Sequence, residues 1–392
     1  YAYLRSVFGW AKGWAFALVY VLLSINIVVN YLLPDTLPLP VLQAEAYLSG
    51  LWLGILYYIW LVAVLHTLLK AVGYFCGWKI PHITVATTML GVCGILCMWG
   101  MWNAFHPCVR NEEIVTDKLA QGKNLKIAMV SDVHLGRVLS RSFAERVVAL
   151  LNSVHPDMVV VAGDLLNEKI GDVEKAGALE PFGKVQAPLG IYMAMGNHDY
   201  FDNPGKWWLL LKLQGINVLH GASKVVADGT VKVTGLVDFS HDRGSDGLKR
   251  LAAENEKFYS IVIDHQPRRF AAAEAAGYDL YLAGHTHTGQ MFPNRLVTSM
   301  MYELDYGRRE FGKMTGIVSS GIGFWGPPIR TGTLPEIVVI DIKGNKILTG
   351  EKNKLNVTKK QYLGQKSLNF VPFGKNKENL RKKLKNFFQK DF

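Results

Sequence analysis

The chain has 392 residues, enough for one large domain and an appendage, with 49% hydrophobic and 19% charged residues. That is apolar for a soluble enzyme, and much of the excess lies in the first hundred residues. The net charge of +11 is also uneven. Residues 345–392 hold 13 Lys and Arg against 3 Asp and Glu, a balance of +10, so the remainder is almost neutral and offers nucleic acid no basic face.

Three windows, 14–33, 47–69 and 83–102, each hold 20 or more residues without Lys, Arg, Asp or Glu. A bilayer core needs about 20 apolar helical residues, so the sequence predicts three membrane spans. Trp10, Trp14, Tyr31, Tyr47, Trp52, Trp99 and Trp102 crowd their ends, as interfacial aromatics do. Cys93 and Cys97, four apart in the third window, read as one helix face rather than a zinc site, and no cysteine follows Cys108. Asn26, Asn30 and His66 are expected to hydrogen-bond neighbouring helices. Arg5, Lys12, Lys70 and Lys79 lie on one side of the expected membrane, against Arg110, Lys118 and Lys123 on the other. That margin of one charge leans toward a cytoplasmic N-terminus and a soluble domain on the far side. Tyr1 in place of Met leaves room for residues upstream. The organisation expected is an anchor over 1–108, a linker over 109–124, a globular domain over 125–344 and a basic tail over 345–392.

In the globular part, strands are expected at 125–130, 158–162, 190–194, 231–237, 259–263, 280–283, 316–319 and 337–342. Helices are expected at 140–154, 204–214, 245–255 and 267–276. This alternation predicts an α/β layered domain. In the tail, Leu380, Leu384, Phe387 and Phe388 recur at helical spacing among Arg381, Lys382, Lys383 and Lys385, the pattern of a basic amphipathic helix for a membrane surface.

Five expected strands run into polar loops: Ser131-Asp132-Val133-His134, Gly163-Asp164, Gly196-Asn197-His198-Asp199, Asp264-His265 and Gly284-His285-Thr286-His287. Each motif alone is an ordinary turn, but loops at strand ends converge on one edge of a layered sheet. Asp132 and His134, two apart in extended chain, point the same way. Asp164 offers a carboxylate able to bridge two cations, Asn197 an amide oxygen, and His265, His285 and His287 imidazoles. Mixed oxygen and imidazole donors suit Mn, Fe or Zn. Two such ions about 3.5–4 Å apart form the clamp used for displacement at phosphorus.

Taken together, Ser-Asp-Val-His-Leu-Gly, Gly-Asp-Leu, Gly-Asn-His-Asp-Tyr, Asp-His-Gln-Pro and Gly-His-Thr-His resemble the signature of the calcineurin-like metallophosphoesterases over roughly 125–342. Within that family the wording is most similar to the YkuE/YaeI-like bacterial branch, as are Pro328-Ile329-Arg330 and Pro335-Glu336-Ile337. Thr288 departs from it, standing where that branch has a second glycine. The resemblance implies a four-layer α/β/β/α sandwich of two mixed sheets flanked by helices, here preceded by three transmembrane helices. It implies two divalent metal ions, Mn foremost: Asp132, His134 and His287 on the first, Asn197, His265 and His285 on the second, Asp164 bridging both. It further implies attack on phosphorus by a metal-bridging hydroxide, with His198 contacting the phosphate and protonating the leaving oxygen. Asp199 is expected to orient His198.

The anchor, the cationic tail and the apolar lips expected at Lys206-Trp207-Trp208-Leu209-Leu210-Leu211 and Gly323-Phe324-Trp325-Gly326 favour a lipid-linked phosphate ester or pyrophosphate as substrate, met at a bacterial cytoplasmic membrane. A soluble nucleotide-type diester and a non-catalytic metal-binding scaffold are the alternatives, and nucleic acid is not an expected partner.

Overall fold

The computed structural model describes residues 1–346 apart from positions 35, 168 and 245; the expected basic tail and its amphipathic helix lie outside the described residues. The chain opens with four helices: α1 (Ala2–Val7), α2 (Trp14–Leu32), α3 (Leu39–Cys76) and α4 (His82–Ala104). The expected spans correspond to α2, α3 and α4. α3 and α4 are long and apolar enough to cross a membrane, and α2 is apolar but shorter. α3 starts at the Pro38–Leu39–Pro40 turn and stops at Gly77, whose φ of 69° no helix interior accepts.

The remaining chain alternates as β1 (Cys108–Ala120), β2 (Asn124–Val130), α5 (Arg141–Ser153), β3 (Met158–Ala162), α6 (Ile170–Ala176), β4 (Ile191–Ala194), α7 (Pro204–Leu213) and β5 (Ile216–Val218). It continues with β6 (Ala222–Val226), β7 (Val231–Gly235), α8 (Asp246–Leu251), β8 (Tyr259–Ile263), α9 (Phe270–Ala275) and β9 (Leu280–Ala283). It ends with α10 (Arg295–Met301), β10 (Gly307–Phe311), β11 (Met314–Val318) and β12 (Glu336–Lys346). Among the described residues the strands form two six-stranded mixed sheets, ordered β1-β12-β2-β3-β4-β5 and β10-β11-β9-β8-β7-β6.

The sheets pack face to face through alternate side chains. Ile127, Met129, Val160, Ile340 and Ile342 of the first meet Val233, Ile261, Ile263, Leu280 and Ile317 of the second. The pleat turns the intervening residues of the first sheet outward. There Ala128, Val130, Val159 and Val161 are buried with Phe143, Val147 and Leu151 of α5 and Trp207 and Leu211 of α7. On the second, Val262, Tyr281 and Val318 bury Leu248 of α8 with Phe270 and Ala273 of α9. Both expectations of layered sheets and covering helices are met.

The segment 109–124, expected to be a linker, is mostly β1, an edge strand in parallel register with β12 from Cys108–Glu336 to Thr116–Gly344. Arg110, Glu112 and Lys118 lie on its partly buried face beside Ile114, held in ion pairs, and Glu113 and Asp117 on its wet face, so no apolar-polar alternation announced the strand.

The helical and globular parts share a contact. The loop 326–331 lies across α3 and α4, where a Cβ on Gly54 would meet Ile329 Cδ1 at 2.7 Å and one on Gly100 would meet Thr331 Cγ2 at 2.6 Å. The Arg330 amide donates to the Gly100 carbonyl (2.9 Å), Asn103 Nδ2 donates to the Arg330 carbonyl (3.3 Å), and the Tyr58 and Thr331 hydroxyls hydrogen-bond. Tyr58, Cys97, Met291 and Ile329 form a small apolar cluster there.

Candidate metal centre

The motif loops leave the C-terminal ends of parallel strands: β2, β3 and β4 in one sheet, β8 and β9 in the other. Because the sheets face each other, these ends meet along one edge. Asp132, His134 and His287 come together as one group able to hold a cation, and Asp164, His265 and His285 as a second. A third set of His134, Asp164 and His198 lies between them, so Asp164 is common to the middle and the second group.

Nε2 of His134 lies 3.0 Å from Nε2 of His287, which is 3.5 Å from Asp132 Oδ1. On the other side Asp164 Oδ2 is 3.1 Å from His265 Nε2 and 3.9 Å from His134 Nε2, while His265 Nε2 is 3.2 Å from His285 Nδ1. Two imidazole nitrogens at 3.0 Å, one of them beside a carboxylate, are placed as donors converging on a common cation. Asn197 Oδ1 is buried and accepts no hydrogen bond among the described residues, leaving a free acceptor at the same edge.

Backbone geometry aims these side chains at some cost. Asp132, His134, Asp164, His285, His287 and Thr288 all have φ between 46° and 71°, the left-handed region that side chains other than glycine rarely adopt. Such residues cost on the order of 1–3 kcal/mol each and persist where the surroundings over-determine them. The glycines before the donors make room: a Cβ on Gly196 would collide with Asp164 Oδ1, and one on Gly284 with Asp132 Oδ2. The His285 amide donates to both Asp132 oxygens (3.1 and 3.0 Å), and the His198 amide to Asp164 Oδ1 (2.9 Å).

Burial sets the charge states. It lowers the His134 imidazole to about 3 and that of His285 to about 4, and it holds His287 well below its ordinary value with help from the Arg330 charge. These rings are neutral at pH 7, the form that offers a lone pair to a metal. Burial opposes the charges of Asp164 and His265, but each holds the other ionised, so the carboxyl goes down and the imidazole up.

Asp199 departs from the expected arrangement. Its carboxylate accepts from the amides of Asp164 (2.9 Å), Gly196 (2.8 Å) and Leu166 (3.1 Å), so it ties the Gly-Asp and Gly-Asn-His-Asp loops together instead of orienting the His198 ring. Burial and then the Asp164 charge raise it to about 8 against these donors. The His198 ring packs against Phe201 (centroids 4.4 Å) and Trp325 (5.9 Å), both exposed, beside the groups of donors.

Arg330 is a contributor that the motifs did not single out for a role. Fully buried, it donates to the carbonyls of Ser320, Gly321 and Gly323 and to Thr333 Oγ1, fixing the loop that packs behind Asp132. Its signal in the sequence was the Pro328-Ile329-Arg330 stretch, which carried a resemblance but no role. The expected apolar lips split: Trp207 and Phe324 are core, whereas Trp208 (42% exposed) and Trp325 (57%) face outward.

The profile of the calcineurin-like phosphoesterases matches residues 125–289. The chain is 32% identical to an uncharacterized metallophosphoesterase of Campylobacter jejuni, over 57% of this chain and 60% of that protein. It is 32% identical to a Danio rerio transmembrane protein with metallophosphoesterase domain, over 64% of this chain and 61% of that one. An uncharacterized metallophosphoesterase of Aquifex aeolicus is 32% identical over 60% of this chain and 92% of its own length. The chain therefore spans about three fifths of the first two relatives and nearly all of the third. On the motif loops, the paired sheets and this last coverage, the chain belongs to the calcineurin-like metallophosphoesterases, a family of metal-dependent hydrolases.

Proposed function

We propose that this protein is a membrane-anchored phosphoesterase with two divalent metal ions, Mn foremost, acting on a lipid-linked phosphate ester or pyrophosphate. The supporting observation is the convergence of Asp132, His134 and His287 beside Asp164, His265 and His285, on an edge that also abuts the apolar helices. Asp132, His134 and His287 would hold one ion, Asn197, His265 and His285 the other, with Asp164 between. Ions bound there supply Lewis acidity and an acidified water.

The chain's own residues do the rest. His198, at the rim beside Asp164, contacts the phosphate and carries a proton to the leaving oxygen. Asp199 and Arg330 fix the loops that carry the donors, and Trp325 and Phe201 wall the ring of His198. α2, α3 and α4 anchor the domain. Arg137 donates to the Asn30 carbonyl near the end of α2, close to where the chain turns into α3, and the stretch 34–46 there has no Lys or Arg. Positive-inside counting then favours the face away from the cytoplasm, in a bacterial cytoplasmic membrane as the branch resemblance implies.

The purified protein with Mn²⁺, assayed on detergent-dispersed lipid phosphodiesters and on water-soluble ones, should favour the lipid esters at least tenfold in kcat/KM. Equal turnover of both would remove the lipid substrate, and absence of metal-dependent turnover on any ester would remove the enzyme.

A further inference from the structure

Beside the donor-bearing loops runs a groove of about 370 Å³, within the usual size of small-ligand sites (roughly 300–1,000 Å³). Leu53, Leu56, Tyr57 and Trp60 of α3 form one wall, and Met291 and Pro327 the other. Both loops of the second wall belong to the site. Met291 follows His287 by four positions, and Pro327 lies two after Trp325, the neighbour of His198. Gln290 locks the two loops together: Nε2 donates to the carbonyls of Trp325 (3.1 Å) and Pro327 (3.0 Å), and Oε1 accepts from the Trp325 amide (3.0 Å).

The chemistry of the walls selects the occupant. No lining residue is charged, and the Tyr57 hydroxyl already donates to Asn294 Oδ1 (2.8 Å), so the walls offer a polar ligand little beyond the Trp60 indole N–H. α3 is a helix long and apolar enough to cross a membrane, so a groove along its side suits an apolar chain. The apolar surface continues onto α10. Leu296, Val297, Met300 and Met301 there, with Phe292 before it, are all exposed, while Thr298 turns to Asp305 (Oγ1 to Oδ2, 2.9 Å). A short helix with one face so apolar suits the surface of a bilayer next to a spanning helix.

We propose that this groove holds the hydrocarbon chain of a lipid substrate whose phosphate lies among the clustered donors, with α10 lying in the membrane surface at its mouth. The proposal rests on the lipid-linked reading above and adds where the chain binds. Each methylene buried there contributes about fourfold in affinity at full burial, so blocking a few positions should be plain in kinetics.

The test uses the full chain in mixed micelles with Mn²⁺ and two chromogenic diesters, 4-nitrophenyl hexadecyl phosphate and 4-nitrophenyl ethyl phosphate, which share a reacting centre and differ in chain length. The quantity read is the ratio of their kcat/KM values, taken within one preparation so that misfolded protein cancels. The parent should prefer the hexadecyl ester at least tenfold. Leu56→Trp and, separately, Leu53→Trp should each cut that ratio at least tenfold, chiefly through KM. Leu68→Trp, on an exposed part of α3 away from the groove, should keep the parent ratio. A parent preference that survives both groove substitutions overturns the groove and leaves the lipid reading standing. A parent ratio near one overturns both.

Discussion

His198 is the residue on which the proposed proton transfer depends; it stands within reach of His134 and Asp164, but the proposal gives it no metal to hold. Its ring packs on Phe201 and Trp325 while its amide, not its imidazole, binds Asp164. His198→Ala should therefore retain bound metal, measured by elemental analysis, and lose roughly 10²–10⁴-fold in kcat. A variant with full metal and parent turnover would take that role from His198. Thr288 poses a different problem. A β-branched residue is held at φ 51° with its Oγ1 buried and without a hydrogen-bond partner. Glycine adopts that backbone freely, so Thr288→Gly should stabilise the fold by about 1 kcal/mol, read as a rise in Tm. Acid should act through the imidazoles. His134, His285 and His287 have folded pKa values below the unfolded value of about 6.5, so the unfolded chain binds more protons as pH falls. Their contribution is complete above about pH 6.5 and is lost as pH drops through about 4 and then about 3. His265 is shifted upward and is charged in both states below pH 6.5, so it does not oppose this slope, whereas Asp199, raised to about 8, keeps its proton in the folded state across the window and offsets one of the three. The metal-free protein should accordingly melt progressively lower from pH 6.5 to 4, and His285→Gln should flatten the slope.

At the scale of elements, the junction between α4 and the loop 326–331 connects the helices to the candidate centre. Gly100 touches Thr331 and Ile329, next to Arg330, whose guanidinium holds the loop behind Asp132. Gly100→Leu should cost about 1–3 kcal/mol through overpacking and lower metal affinity as well. Gly94→Leu, on the same helix but with open space around it, should do neither. Calorimetry and metal titration of the pair would separate a local effect from a general intolerance of α4. The elements differ in how plainly the sequence announces them. β3, β8 and β9 were legible to the residue because they are continuous apolar runs ending at glycine or aspartate. α10 was not, since a seven-residue helix that buries none of its side chains has no inward stripe to read. β1 was not, because its partner lies more than 200 positions away and charged residues stand on both of its faces.

Across the whole molecule, the donor types and their order were legible, but not what aims them. Left-handed φ values at six neighbouring positions, and a buried guanidinium whose partners are backbone carbonyls, leave no trace in residue spacing. The same holds for Asp199, two of whose three amide partners belong to a loop 33 and 35 residues earlier. The role of the anchor was equally hidden, because an apolar window says where a helix is and not what leans on it. A chain starting at Cys108 would expose Ile329, Met291 and Pro327 and free the loop that Asn103 and Gly100 hold. It should bind metal at least tenfold more weakly than the full chain and aggregate without detergent, as light scattering and metal titration would reveal.

Between Ala104, the last residue of α4, and Cys108, the first of β1, there are only three residues, and β1 is at once zipped to β12. So short a hinge, clamped again by the loop across Gly54 and Gly100, denies the globular part any swing. Its working edge stays at one altitude and one bearing relative to the helices. On the lipid-linked reading proposed above, the target comes to that edge by sideways drift in two dimensions, and a phosphate carried higher or lower passes by.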